Sequence, residues 1–597
     1  MKPSCGRWAA PAVLALLLGA CATPRPDVAV TPPRASPPPT TATAVAAAAA
    51  YDFSMDIFHP AVARRGMVVS EQALASQAGL DMLRAGGNAV DAAVAVGFAL
   101  AVVLPNAGNL GGGGFMMVHT ARDDRDIALD FREMAPRRAT RDMYLDERGE
   151  VAEGRSLFTP LAVGVPGSVA GLTHAQRQWG TLPLAQVMAP AIRLAERGYP
   201  VSPTLAEALA KTAKTMGRWP ATRAIFWRGG QPLRAGDWLV QKDLAQSLRL
   251  IAAQGAEAFY RGAIGRKIAA DMARHGGLIT AQDLAEYRVV ERDPIVGDYR
   301  GYRVVTMPPP SSGGIHLVQI LNMMEAWPVG SWGAGSAQTI QHMAEAMKLA
   351  YADRAEYLGD TDFVPVPVAG LTAKPYARAL AATIQATRAR PSADIRPGRP
   401  QPIEGDQTTH FSVADAAGNA VAVTYTLNTH FGSGMVAAGT GILLNNEMDD
   451  FSAKPGVANV YGLIGGAANA IAPGKRPLSS MTPTLVLKDG RPWLVTGSPG
   501  GARIITTVLE AVVDAIDFGM NPAEAAAMPR FHHQWWPDQL RVEKGLSPDT
   551  LALLRSYGQH VAVMPAMGKT QTIQIREGVM YGASDPRNPD GAALGLP

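Results

Sequence analysis

The sequence predicts a layered α+β protein, and three observations carry that expectation. Residues 89–103 are apolar on nearly every face, so a helix there must be covered on several sides by a sheet and its neighbours. Residues 408–428 hold two runs rich in Val, Thr and Tyr around a short turn, the pattern of a β-hairpin. Residues 493–496 look like a strand, run into Gly497-Ser498-Pro499-Gly500-Gly501, and lead to an amphipathic stretch over 504–518, which predicts strand, glycine turn and helix start.

The elements follow in chain order. Lys2 and Arg7 precede an apolar run over 9–20 that is too short to span a bilayer, so residues 1–20 read as a signal peptide. The run ends Leu18-Gly19-Ala20-Cys21, which resembles a bacterial lipoprotein box with cleavage before Cys21 and acylation of that cysteine. An ordinary secretory signal cut near Ala20 or Ala22 is the alternative. Ala22 after Cys21 resembles the outer-membrane sorting pattern of Gram-negative lipoproteins, which places the chain on the periplasmic side of such an envelope. Only Cys5 and Cys21 exist, and Cys5 leaves with the signal, so the mature chain has no internal disulfide, cysteine nucleophile or cysteine metal site. Residues 21–50 are a Pro-, Ala- and Thr-rich tether, too poor in large apolar groups to build a core. Folded structure is expected from Tyr51 or Gly66.

A helix is expected over residues 70–84, closed at Gly86-Gly87, and Asn88 with Asp91 three residues later should cap the apolar helix that follows. Residues 111–114 are four glycines. They precede an apolar strand-like run rather than a helix and lack the Lys-Ser/Thr of a phosphate loop, so close backbone packing beside a pocket is the better reading.

In the hairpin, residues 408–414 and 419–428 are the strands, and a three-residue loop of Ala416, Ala417 and Gly418 with Gly418 at positive φ would pair Asp415 with Asn419. That register sets Thr408 opposite Thr426. A cut between Gln407 and Thr408 would leave a threonine whose own α-amino group, with a reference pKa of roughly 7.7 to 8.0, could serve as its base. The backbone N–H groups of Gly500 and Gly501, at a helix start, would suit an oxyanion. Each feature alone has a plain structural reading, as strand threonines or a glycine turn.

Composition excludes other classes. The 597-residue chain is 47% hydrophobic and 18% charged, with net charge +4, falling to +2 without the signal segment. No basic stripe with interleaved aromatics suggests nucleic acid, and the Arg-rich residues 388–400, broken by Pro391 and Pro397, read as a solvated connection. Arg476 and the His532-His533 pair read as structural, because adjacent histidines point apart and no metal-ligand spacing surrounds them. No metal or cofactor is expected.

Six motifs together resemble the γ-glutamyltransferases (glutathione hydrolases), members of the N-terminal nucleophile hydrolases, over residues 60–590. They are Gly86-Gly87-Asn88-Ala89-Val90-Asp91-Ala92-Ala93, Asp130-Phe131-Arg132-Glu133, Gln407-Thr408-Thr409-His410, Asn445-Asn446-Glu447-Met448-Asp449-Asp450-Phe451, Pro477-Leu478-Ser479-Ser480-Met481 and Gly497-Ser498-Pro499-Gly500-Gly501. The resemblance implies a four-layer αββα sandwich, made as a precursor that cuts itself into a large subunit, residues 51–407 of the folded part, and a small catalytic subunit, 408–597. The two would stay together as a heterodimer. It implies Thr408 as nucleophile, Thr426 as its hydrogen-bond partner, and transfer of the γ-glutamyl group of glutathione to water, an amino acid or a dipeptide.

A γ-glutamyl donor presents an α-carboxylate and an α-ammonium that must both be paired. Arg132 with Ser479 and Ser480 suits the first, Asp450 and Glu447 the second, and Asn428 either. Residues 452–468 resemble a lid over the pocket in some family members, with Tyr461 as its gate. Two rivals are a cephalosporin or glutaryl acylase on the same scaffold, which would need no ammonium pairing, and a surface-anchored binding lipoprotein without catalysis. His430 has no assigned role.

Overall fold

The computed structural model describes residues 54–397, 409–454, 457 and 466–597. The signal segment, the tether, Gln407, Thr408 and most of the expected lid, Tyr461 included, lie outside the described residues.

Two seven-stranded sheets form the centre, and every neighbouring pair of strands in them is antiparallel. The first runs Ala61–Ala63, Val579–Ser584, Gln571–Arg576, Arg491–Thr496, Thr484–Lys488, Tyr302–Thr306, Ile295–Tyr299. The second runs Ala592–Leu596, Gly66–Ser70, Thr409–Asp415, Ala420–Thr426, Gly113–Thr120, Arg125–Phe131, Val290–Arg292. Side chains alternate between two cores, as the period of a strand requires. Val68, Met116, Val118, Phe411, Val413 and Val423 join one core with the helices Ala73–Arg84, Ala89–Val103 and Ser168–Trp179. Met67, Val69, Phe115, Met117, Ala414 and Ala422 point the other way, into a core shared with the first sheet and the helices Gly313–Met324, Ala337–Tyr357 and Ala502–Ile516. The result is helix, sheet, sheet, helix: the αββα sandwich.

The apolar helix Ala89–Val103 is buried along its whole length, and Asn88 caps it as its side chain suggests. Asn88 Oδ1 accepts from the N–H of Val90 and Asp91 at 2.9 and 3.0 Å, and Asp91 Oδ2 in turn accepts from the N–H of Asn88 at 2.8 Å. The preceding helix starts later than expected, at Ala73, because Ser70 ends a strand paired with Phe411.

Strands from before and after residue 407 interleave in both sheets. Thr409–Asp415 sits between Gly66–Ser70 and its own hairpin partner, and Gly66–Ser70 in turn pairs with the C-terminal strand Ala592–Leu596. Two chains produced by a cut there would share both sheets.

The Arg-rich segment is exposed at Arg388, Pro391, Ala393, Asp394 and Arg396, as a solvated connection should be, but it is anchored at points the sequence did not show. Ser392 and Ile395 are fully buried; Ser392 Oγ donates to Asp538 Oδ1 at 2.7 Å and Ala389 N to Tyr557 O at 2.6 Å. Buried Lys348 donates to Arg390 O at 2.6 Å. Its partners lie in a distant part of the chain, where residue type alone gives no signal.

Candidate active site

The hairpin Thr409–Asp415 and Ala420–Thr426 has the expected register, Thr409 opposite Tyr425, and the expected loop, with Asp415 N donating to Asn419 O at 3.1 Å and Gly418 at φ 93°. It delivers Thr409 and Thr426 to one end of the second sheet. Thr426 is buried, its Oγ1 accepts from Asn428 N at 2.8 Å, and its carbonyl accepts from Asn109 Nδ2 at 2.8 Å.

The four glycines lie where the backbone must come close. A Cβ on Gly112 would stand 1.9 Å from Thr426 O, and one on Gly111 2.1 Å from Leu443 O. Asn445 ties this turn to the motif of residues 445–451: its Nδ2 donates to Gly111 O and Gly164 O, each at 2.8 Å, and its Oδ1 accepts from Glu447 N at 3.0 Å.

The strand Arg491–Thr496 leads into the glycine turn, and Gly501 is the N-cap of the helix Ala502–Ile516. Gly500 and Gly501 take φ of 135° and 58°, backbone that favours glycine. Both are buried, and neither N–H donates to a described residue, as expected of the first amides of a helix. Thr426, Asn428 and Gly500 line one cavity of about 210 Å³ together with Glu71, His430 and Lys569. His430, which the sequence left unassigned, thus stands at its exposed rim.

The residues expected to clamp a free amino acid end form a second, adjoining cluster. Buried Arg132 donates through Nη1 to Glu447 Oε1, through Nη2 to Asp450 Oδ2 at 2.5 Å and to Leu478 O at 2.9 Å, and through Nε to Pro477 O at 3.1 Å. Glu133 lies 3.7 Å from the same guanidinium. Three carboxylates therefore surround one cation, and Glu447 Oε2, Asp450 Oδ1 and both Glu133 oxygens have no hydrogen-bond partner among the described residues. Burial first, and then their mutual repulsion, raises the pKa of Glu447 and Glu133, and burial raises that of Asp450 against the pull of Arg132. Such a cluster is short of positive charge. Ser479 and Ser480 follow directly on the two carbonyls that hold Arg132, and Asn428 Nδ2 donates to Asn446 O at 3.0 Å, joining the cluster to the cavity.

Several contributors escaped the sequence reading. Arg354, buried in the helix Ala337–Tyr357, donates to Ser480 Oγ at 3.0 Å and Ser312 Oγ at 3.2 Å. Glu71 Oε1 accepts from Thr409 Oγ1 at 2.8 Å, and its Oε2 faces Lys569 Nζ at 3.4 Å. His410 is sealed between the sheets, with Nδ1 2.8 Å from Thr424 Oγ1, and burial lowers its pKa to about 3, so it stays neutral and structural. His532 and His533 are likewise buried and structural, His532 against Thr506 and Gln534 and His533 against Asp538. Among the described residues no group of three or more His, Cys, Asp or Glu could hold a metal.

The family model described as Gamma-glutamyltranspeptidase matches residues 75–595. The chain belongs to the γ-glutamyltranspeptidase family. It is 57% identical over 587 residues to the glutathione hydrolase proenzyme of Escherichia coli strain K12, covering 98% of both chains. It is 49% identical to the glutathione hydrolase proenzyme of Pseudomonas sp. strain A14, over 90% of this chain and 95% of that one. Among solved structures, the cephalosporin acylase of Bacillus halodurans superposes with a TM-score of 0.80 at 32% identity, covering 92% of this chain and 98% of the other. The fold expected from the motifs is thus the fold of the relatives.

Proposed function

We propose that this chain is an autoprocessing γ-glutamyltransferase that takes the γ-glutamyl group of glutathione and related compounds onto Thr408 and passes it to water, an amino acid or a dipeptide. The observation that carries the reading is the pairing of two sites: amides of Gly500 and Gly501 and the hydroxyl of Thr426 beside the start of the Thr409 strand, and a guanidinium ringed by under-compensated carboxylates next to them.

Continued by one residue, the Thr409–Tyr425 register would set Thr408 opposite Thr426. In processing, Thr408 Oγ attacks the Gln407 carbonyl carbon, the peptide bond breaks, and water hydrolyses the resulting ester to leave a Gln407 carboxylate and a free Thr408 amine. In turnover that amine takes the Oγ proton as Oγ attacks the donor's γ-carbonyl. Charge on the carbonyl oxygen is met by the amides of Gly500 and Gly501, and the proton passes to the departing amine. Water or an acceptor amine then releases the acyl group from Thr408. The donor's ammonium supplies the positive charge that Glu447, Asp450 and Glu133 lack. Its carboxylate is drawn to Arg132, with the hydroxyls of Ser479 and Ser480 as further donors.

The acylase relative keeps the fold but not the argument for this pocket, since a glutaryl or cephalosporin side chain without an ammonium would leave the buried carboxylates unpaired. Tyr461 is proposed as the gate of a lid over 452–468. Signal cleavage, lipidation of Cys21 and attachment to the periplasmic face of an outer membrane complete the proposal; no helix among the described residues is long and apolar enough to cross a membrane. Incubation of the purified protein with glutathione should release glutamate, and adding a dipeptide should yield its γ-glutamyl derivative. Absence of both products would refute the function.

A further inference from the structure

Asn469 is fully buried and uses both ends of its side-chain amide. Nδ2 donates to Asp450 O at 2.6 Å, and Oδ1 accepts from Leu478 N at 3.1 Å. A carbonyl only accepts and an N–H only donates, so these partners fix which way round the amide lies. Asp450 and Leu478 are also the residues that Arg132 holds, through Asp450 Oδ2 at 2.5 Å and Leu478 O at 2.9 Å. Arg132 and Asn469 thus close a ring with the two segments between them. One segment carries the acids Glu447 and Asp450, and the other runs on into Ser479 and Ser480. The two grips differ in kind. Arg132 holds the carboxylate of Asp450, which side-chain torsions separate from its main chain, whereas Asn469 holds the main chain itself.

Asn469 is in turn held by its own surroundings. Its carbonyl accepts from Ser452 N at 3.0 Å, and buried Lys475 donates to the carbonyls of Ala468 and, at 3.1 Å, Ala470. Ile471, two residues on, shares an apolar cluster with Met448 and Phe451, which flank Asp449 and Asp450. Gly474 N donates to Ala135 O at 2.9 Å and Ala135 N to Lys475 O at 2.8 Å, so the same stretch is tied to the chain that follows Arg132. Asn469 is not among the residues that line the cavity beside Gly500, so any effect on the donor passes through its neighbours.

We infer that Asn469 is a positioning residue that sets the distance between the two halves of the clamp, the acids that take the ammonium and the hydroxyls that take the carboxylate. The consequence is selectivity for a donor that carries both charges on one carbon, as an α-amino acid does, because only such a donor must meet both halves at a fixed spacing. The inference rests on the γ-glutamyl reading above and adds to it the residue that makes the two contacts cooperate.

The test compares three anilide donors on the processed enzyme: γ-glutamyl-p-nitroanilide, with both charged groups, glutaryl-p-nitroanilide, without the ammonium, and 4-aminobutyryl-p-nitroanilide, without the carboxylate. Asn469→Ala leaves Asp450 O and Leu478 N without this partner, and kcat/KM for the γ-glutamyl donor should fall about tenfold, mostly through KM, the scale of a lost buried hydrogen bond. The two single-charge donors, each of which needs one half only, should change by less than about twofold. Asn469→Asp has the same shape, keeps an acceptor for Leu478 N and loses the donor to Asp450 O, so it should show the same selective loss. A loss shared equally by the three donors, an undiminished γ-glutamyl preference, or failure of both variants to yield cut, soluble protein would overturn the role. A wild type that does not favour the γ-glutamyl donor over the other two would instead refute the clamp itself.

Discussion

Replacing Asp450 with Asn isolates the electrostatic claim about the clamp. Asp450 Oδ2 accepts from Arg132 Nη2, and the amide oxygen of Asn can keep that bond, so the variant changes charge more than shape. Folding should survive, because the cluster holds three carboxylates to one guanidinium and loses the surplus, not the balance. What is lost is one of the negative groups available to a bound ammonium. Removing one partner of a buried charged contact costs roughly 2–4 kcal/mol, which corresponds to about a 30- to 1,000-fold fall in kcat/KM. The assay compares γ-glutamyl-p-nitroanilide with glutaryl-p-nitroanilide, which has the same reacting bond and no ammonium. Turnover of the first should collapse in Asp450→Asn while the second changes little, so the preference for the γ-glutamyl donor shrinks by the same factor. A variant that keeps the wild-type preference would refute the role of Asp450 and, with it, the argument against an acylase.

Three further outcomes follow from the same structure. Because burial raises the carboxylates around Arg132, and an ammonium binds only their ionised forms, kcat/KM for the γ-glutamyl donor should rise with pH through an apparent pKa above the usual carboxylate range; a pH profile shared with the glutaryl donor would contradict this. Asp514 is raised to about 8 by burial, so the native state keeps a proton that the unfolded chain loses near its ordinary value, and stability falls as pH rises between the two; Asp514→Asn should remove that slope, worth at most about 1.4 kcal/mol per pH unit, and raise the melting temperature more at pH 8 than at pH 5. Gly497→Ala would place a Cβ 2.4 Å from the His410 ring, which is sealed between two sheets, and should cost more than about 3 kcal/mol, read as a loss of soluble folded protein; normal expression and melting would show that the inter-sheet space is looser than described.

What the sequence made legible was what local chemistry decides. The helix Ala89–Val103 was readable because an all-round apolar surface permits only a buried setting and because Asn88 and Asp91 cap it within four residues. The hairpin was readable because Gly418 sets its loop and the loop sets its register. The glycine turn before Ala502–Ile516 was readable because strand, glycines and amphipathic stretch come in that order. The motif residues Arg132, Glu447 and Asp450 do meet, although their mutual ion pairing could not be read from positions more than 300 residues apart. The same distance hid Glu71 and Lys569, which are unremarkable in their own neighbourhoods and become a pair only when the end of the Gly66–Ser70 strand meets the segment tied to the turn at Ser498. Residues 388–397 were legible in part: prolines and arginines signal the exposure seen at Arg388, Pro391 and Arg396, but not the anchoring that Asp538, Tyr557 and Lys348 supply from elsewhere.

The central claim is that the chain converts itself into two interleaved chains by cutting before Thr408. The intact mass of the purified protein under denaturing conditions tests it most directly. The account predicts two polypeptides, the smaller beginning at Thr408 and spanning the 190 residues to Pro597, and a single uncut chain from Thr408→Ala. A single full-length mass from the wild type, or a cut at another bond, would contradict it.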